Sequence, residues 1–159
     1  MIRLARDIVQ RNSSYLDVLT VRNTGRRGSF EGSLTLLSTR GASFGHPMVG
    51  KTWPLCWLNN QGVQDIARNQ TATVMLADYY TETIQSANWT VGLLGFDVNA
   101  LVPAHFVNDP TAEFRLRLQI WRRGWLSDIL PLTLLDETVT VKGPGVITSH
   151  KTILKELKA

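Results

Sequence analysis

The run Gly45-His46-Pro47-Met48-Val49-Gly50-Lys51-Thr52 fits the pattern G-x-x-x-x-G-K-[ST]. In that chemistry glycine-rich backbone N–H groups wrap phosphates, the lysine neutralises their charge and the threonine hydroxyl meets Mg2+. An aspartate after an apolar strand would complete the site. Asp136 after Leu132-Thr133-Leu134-Leu135 has that setting, and so does Asp78 after Val74-Met75-Leu76-Ala77. The loop must also lead from a strand into a helix whose N-terminus holds the phosphate. Here Thr52 runs into Trp53-Pro54-Leu55-Cys56-Trp57-Leu58, an aromatic, strand-like stretch closed by Asn59-Asn60 and Gly62. The first reading is therefore a glycine-rich connection. Nucleotide binding through Gly45, Gly50, Lys51, Thr52 and Asp136 is the alternative.

The other residues able to do chemistry are scattered. His46, His105 and His150 have no second histidine or carboxylate at a metal-ligand spacing, so no metal site is expected. Cys56 lies between Trp53 and Trp57 and reads as a small buried hydrophobe, with no adjacent base to activate it. No G-x-S-x-G run marks a nucleophile. No catalytic residue and no cofactor is assigned, and the chain is read as a non-enzyme. Trp57, Trp89 and Trp121 fall on strand-like segments and read as core. Trp125 follows Arg122-Arg123-Gly124, and two readings stand for it: a recognition anchor beside guanidinium groups, or a ring folded back over the domain edge.

These residues must be positioned by the elements between them. Residues 2–11 carry apolar side chains at three-to-four spacing and read as a short amphipathic helix. From Tyr15 the period becomes two. Residues 15–22 read as a strand, and Asn23-Thr24-Gly25-Arg26-Arg27-Gly28 supplies turn chemistry after it. Further strands are expected over 30–38, 52–58, 71–77, 87–96, 112–121 and 129–141. In the segment 112–121, Phe114, Leu116, Leu118 and Ile120 alternate with Glu113, Arg115, Arg117 and Gln119, the mark of a half-buried antiparallel strand. Residues 97–110, which include His105, form a long connection expected to cap an open end with a helical turn. A second helix or frayed tail is expected over 149–158.

About seven strands with turns at roughly ten-residue spacing give an all-β, two-sheet antiparallel sandwich. The expected organisation is an N-terminal helix over 1–13, the sandwich over 14–142 and a tail or helix over 143–159.

The stretch Leu19-Thr20-Val21-Arg22-Asn23-Thr24-Gly25, followed by a strand and then by Ile66-x4-Thr71-Ala72-Thr73-Val74, resembles immunoglobulin-like β-sandwich modules of bacterial proteins, including cell-adhesion-related repeats. Arg68-Asn69 stands where those modules usually place Pro-Gly. The resemblance implies an immunoglobulin-like fold and an adhesive or recognition role, and it brings no catalytic residues.

Composition bounds the rest. The chain has 159 residues, 43% of them hydrophobic and 19% charged, enough apolar surface for one globular domain. One cysteine excludes an internal disulfide. The interrupted apolar pattern of the first eleven residues fits no secretory signal, and Asp97 breaks the longest apolar run, so no membrane span is expected. A cytoplasmic setting is favoured. Seventeen basic against thirteen acidic residues give a net charge of +4. The doublets Arg26-Arg27 and Arg122-Arg123 are separated by whole segments, so they read as solvated turn residues before they read as a nucleic-acid patch.

The expected function is a non-catalytic recognition or docking module, part of a larger bacterial protein or assembly. Its partner would be another protein or a further part of the same polypeptide. The binding residues would lie in loops at the sandwich ends: His46, His105, Arg122, Arg123 and Trp125. A phosphate-loop nucleotide binder and a weak nucleic-acid binder are the alternatives.

Overall fold

The computed structural model describes residues 1–11, 14–40, 49–58, 62–80, 90–93, 106–107, 113–124 and 133–142. The described residues form strands and no helix. In chain order these are β1 (Ile2–Arg11), β2 (Ser14–Asn23), β3 (Gly28–Arg40), β4 (Thr52–Pro54), β5 (Cys56–Trp57), β6 (Gln64–Ile66), β7 (Thr71–Tyr80), β8 (Thr90–Leu93), β9 (Phe106–Val107), β10 (Glu113–Arg123) and β11 (Thr133–Lys142).

All pairings are antiparallel, in two sheets. The first sheet runs β1-β2-β7-β8-β9, with β5 also on β7. The second runs β11-β10-β3-β4, with β6 also on β3.

Alternation dictates the layers. In β10 the side chains of Phe114, Leu116, Leu118 and Ile120 are wholly buried, while Arg115 and Arg117 between them are exposed. They pack with Phe30, Leu34 and Leu36 of β3 and, from the facing sheet, with Leu19, Val21, Val74 and Leu76. One core is thus shared by both sheets. Where the apolar rhythm slips, an extra residue absorbs it as a bulge. Leu37 is the extra residue in β3 opposite Arg115 and Leu116, and Leu76 the extra one in β7 opposite Asp17 and Val18.

The chain passes from one sheet to the other at Leu55, which lies between β4 and β5. Leu55 is 1% exposed and its N–H donates to the Gly32 carbonyl at 3.0 Å. A side chain at Gly32 would fall 2.3 Å from the Gln119 carbonyl oxygen and 2.5 Å from Leu55 Cδ1, so only hydrogen fits there.

Four expectations are corrected. The N-terminal helix is strand β1, registered residue for residue against β2 from Ile2↔Asn23 to Arg11↔Ser14. Ile2, Leu4 and Ile8 share the core-facing side of that strand, and the helical spacing was a by-product of exposed Ala5 and Val9. Within residues 97–110, Phe106 and Val107 form β9 against β8 instead of a helical turn. Trp121 lies opposite Glu31 and Thr133, on the outward side of β10, and is not core. The strands among the described residues number eleven, because pieces as short as β5, β6 and β9 carry too few residues to show a period. The expected C-terminal helix lies outside the described residues.

Candidate functional site: an arginine-rich end

The end of the molecule formed by the β2–β3 turn is organised by Asn23. Its side chain is 1% exposed and fully used. The amide nitrogen donates to the carbonyls of Arg26 (2.8 Å) and Ile66 (3.0 Å), and Oδ1 accepts the Gly25 N–H at 2.9 Å. Its backbone N–H donates to the Gln70 carbonyl at 3.1 Å, and its carbonyl accepts the Asn69 N–H at 2.6 Å. Asn69 has a φ of 63°, left-handed backbone that asparagine tolerates better than most residues. One buried amide therefore ties the turn carrying Arg26 and Arg27 to the turn carrying Arg68.

Two further strands bring arginines to the same end. Arg122 donates through Nη2 to the Arg27 carbonyl, its guanidinium lying over Gly28, where a Cβ would meet Arg122 Nε at 2.5 Å. Arg123 follows it, with Nε 3.6 Å from Glu31 Oε1. On the other sheet Arg3 sits directly opposite Arg22. Like charges facing across a strand pair are unfavourable. Arg3, Arg22, Arg26, Arg27, Arg68, Arg122 and Arg123 are all exposed. Among the described residues this end holds two carboxylates. Glu31 serves Arg123, and Asp65 accepts a hydrogen bond from the Ser29 hydroxyl. The doublets that stand apart in sequence are thus neighbours in the fold.

The phosphate-loop residues are placed differently. Gly45 and His46 lie outside the described residues. Gly50, at φ +87°, donates its N–H to the Leu36 carbonyl at 2.7 Å, and the Lys51 carbonyl accepts the Leu36 N–H at 3.1 Å. Thr52 opens strand β4, not a helix, and its hydroxyl shares a 2.7 Å hydrogen bond with that of Thr35. Asp136 is on β11, separated from β4 by β10 and β3. It takes a two-point contact from Arg117, at 2.8 and 2.6 Å, which holds its carboxyl below the usual range. Lys51, Thr52 and Asp136 are not brought together.

Of the other expected binding residues, His105 and Trp125 lie outside the described residues, whereas Arg122 and Arg123 sit at the arginine-rich end. Cys56 is half-buried, and burial pushes its thiol pKa up, away from a reactive thiolate. The buried carboxylate of Asp17 is taken by the chain's own Arg6, Nε to Oδ1 at 2.8 Å and Nη2 to Oδ2 at 2.5 Å. Among the described residues no group of three His, Cys, Asp or Glu is placed to hold a metal ion, and no helix is long and apolar enough to cross a membrane.

What the arginine-rich end can do is bind anions. Guanidinium groups present planar, paired donors that match carboxylate and phosphate oxygens. Sequence reasoning weighed the arginine doublets singly, and the signal that joins them is tertiary. The one local hint was the turn motif at Asn23. Compared with protein-family models, with curated proteins and with solved structures, the chain matches none.

Proposed function

We propose that this protein is a non-catalytic, immunoglobulin-like recognition module that docks an acidic partner protein against its arginine-rich end. The observation that carries the reading is the convergence of seven exposed arginines from β1, β2, β10 and two turns on one end, against two carboxylates among the described residues. Loops and strand ends at the tips of a sandwich are where such folds commonly bind. The immunoglobulin-like assignment is supported by the turn at Asn23 and its bonds to Ile66, Asn69 and Gln70, which join the two sequence segments that carry the resemblance. A module of this kind would work as one part of a larger bacterial assembly.

The same end favours a second reading, the phosphate backbone of a nucleic acid, because every basic residue there is arginine and Trp121 lies on the outward side of β10 two residues from Arg123.

Titration with a labelled acidic peptide and a single-stranded oligonucleotide of equal charge separates the two. The expected result is peptide binding that weakens as salt rises from low to moderate. Arg26→Glu/Arg27→Glu should weaken it at least tenfold. Arg115→Glu should leave it within twofold, since Arg115 lies eight residues, about 27 Å, down β10 from Arg123. A clear preference for the oligonucleotide, with a steep salt slope, selects the second reading. Failure of both anions to bind, or equal losses in the Arg115 variant, removes the arginine-rich end from the function.

A further inference from the structure

Strand β1 closes one side of the first sheet, and among the described residues nothing pairs with its outer edge. It runs ten residues against β2 without a register shift. At the other sheet's corresponding edge, β11 is interrupted by a shift near Trp121 and sets Glu137 opposite Leu118. Irregularity and an inward charge both blunt an edge, whereas a long regular edge is a template for another strand. The Met1 carbonyl accepts the Thr24 N–H at 2.9 Å, which sets the phase of the ladder. Odd-numbered residues of β1 turn their peptide groups toward β2, and even-numbered ones turn theirs away.

We propose that the outer edge of β1 pairs antiparallel with β1 of a second copy of this chain, about a two-fold axis through Ala5. Residues opposed in a continuous sheet must lie on the same face, which allows only pairs whose numbers have an even sum. Centring the axis on Arg6 or on Asp7 sets identical charges against each other. Centring it on Leu4 opposes Arg3 to Ala5 and Asp7 to Met1, leaving both charges without a complement across the seam. Centring it on Ala5 opposes Arg3 to Asp7 of the second copy, twice, and Val9 to Met1, twice. On the core-facing side it sets Ile2 against Ile8.

The outward residues Arg3, Ala5, Asp7 and Val9 are all exposed. Met1 and Val9, at 78% and 44% exposure, are two of the large apolar side chains the described chain leaves in solvent, and this register covers them. The phase of the ladder agrees as well. Ile2 and Ile8 become a hydrogen-bonded pair, and the two Ala5 residues become a close, non-hydrogen-bonded pair with Cα atoms about 4.5 Å apart. The contact also supplies the carboxylate that the Arg3–Arg22 opposition lacks. Six arginines then remain for the anionic partner, so the two surfaces are compatible.

Light scattering and sedimentation of the full chain over a wide concentration range test the inference. The wild type should be a dimer in reversible equilibrium with monomer. Arg3→Asp and Asp7→Arg should each shift that equilibrium toward monomer at least tenfold, and the double variant Arg3→Asp/Asp7→Arg should restore it. In a Cys56→Ala background, Ala5→Cys should oxidise to a covalent dimer, because the two Cα atoms fall at disulfide distance. Arg3→Cys should not, since its two copies would lie about 14 Å apart along the seam. A chain that is monomeric at every concentration overturns the proposal, and so does a dimer that survives both single reversals or leaves Ala5→Cys uncrosslinked.

Discussion

Asn23 occupies 1% of its possible exposed surface and makes three side-chain hydrogen bonds, each to the backbone of a different segment. Replacing it with alanine removes all three and leaves the Ile66 carbonyl, in a buried pairing, without its amide donor. The expected loss is about 2–3 kcal/mol, since a buried group stripped of its partner forfeits more than the bond's net worth. Chemical denaturation of Asn23→Ala measures it. Asn23→Asp should lose a similar amount, because a carboxylate cannot donate to the two carbonyls. The variant that stays folded should also bind the acidic peptide more weakly, as the turns bearing Arg26, Arg27 and Arg68 lose their common anchor. Unchanged stability in both variants would show that the turns hold themselves. At this scale the sequence was partly legible. The turn over residues 23–28 announces itself through Asn, Gly and charged residues, but the reach from Asn23 to Ile66 spans 43 residues and leaves no local mark.

Strands show most clearly where one face is wet and the other dry. β10 alternates buried and exposed side chains through Ile120 and was readable as it stands. β1 was not, because Ile2, Leu4, Ala5, Ile8 and Val9 satisfy a helical spacing as well as a strand with one exposed apolar residue, Val9, on its outer side. What decided between them was the partner: β2 offers a ten-residue ladder, and a three-turn helix on its own is marginal. The crossing at Leu55 was equally hidden, since it depends on a glycine in another strand. Gly32→Ala tests that dependence. Its Cβ would come within 2.3 Å of a backbone carbonyl, which cannot swing aside as a side-chain tip can. Relieving the clash means parting β3 from β10 or lifting Leu55, at about 3 kcal/mol, the upper range of overpacking penalties. Thermal melting of Gly32→Ala reads this directly, and Gly124→Ala, with nothing within 4 Å of the added Cβ, is the control that should differ little from wild type.

For the whole molecule the question is whether two sheets make one cooperative unit. Alternation along the chain foretold two layers. It could not foretell which strands neighbour one another, because β10 pairs with β3 some eighty residues earlier and β2 with β7 across about fifty. Those long-range pairings are also what gather the arginines. Two features argue that the layers stand or fall together. Leu34, Leu36, Leu116 and Leu118 from one sheet and Leu19, Val21, Val74 and Leu76 from the other belong to a single buried cluster. The chain then steps from Trp53, paired with Leu34, to Trp57, paired with Val74, through the buried Leu55. Unfolding one sheet would expose the inner face of the other and pull on this step. Denaturation followed by tryptophan fluorescence and by far-ultraviolet circular dichroism should therefore give one shared midpoint. Leu34→Ala in one sheet and Val74→Ala in the other should each lower that same transition, by about 3 and about 2 kcal/mol respectively. Two separated midpoints, with each substitution moving only its own, would mean that the sheets unfold independently and that the shared core does not bind them into one unit.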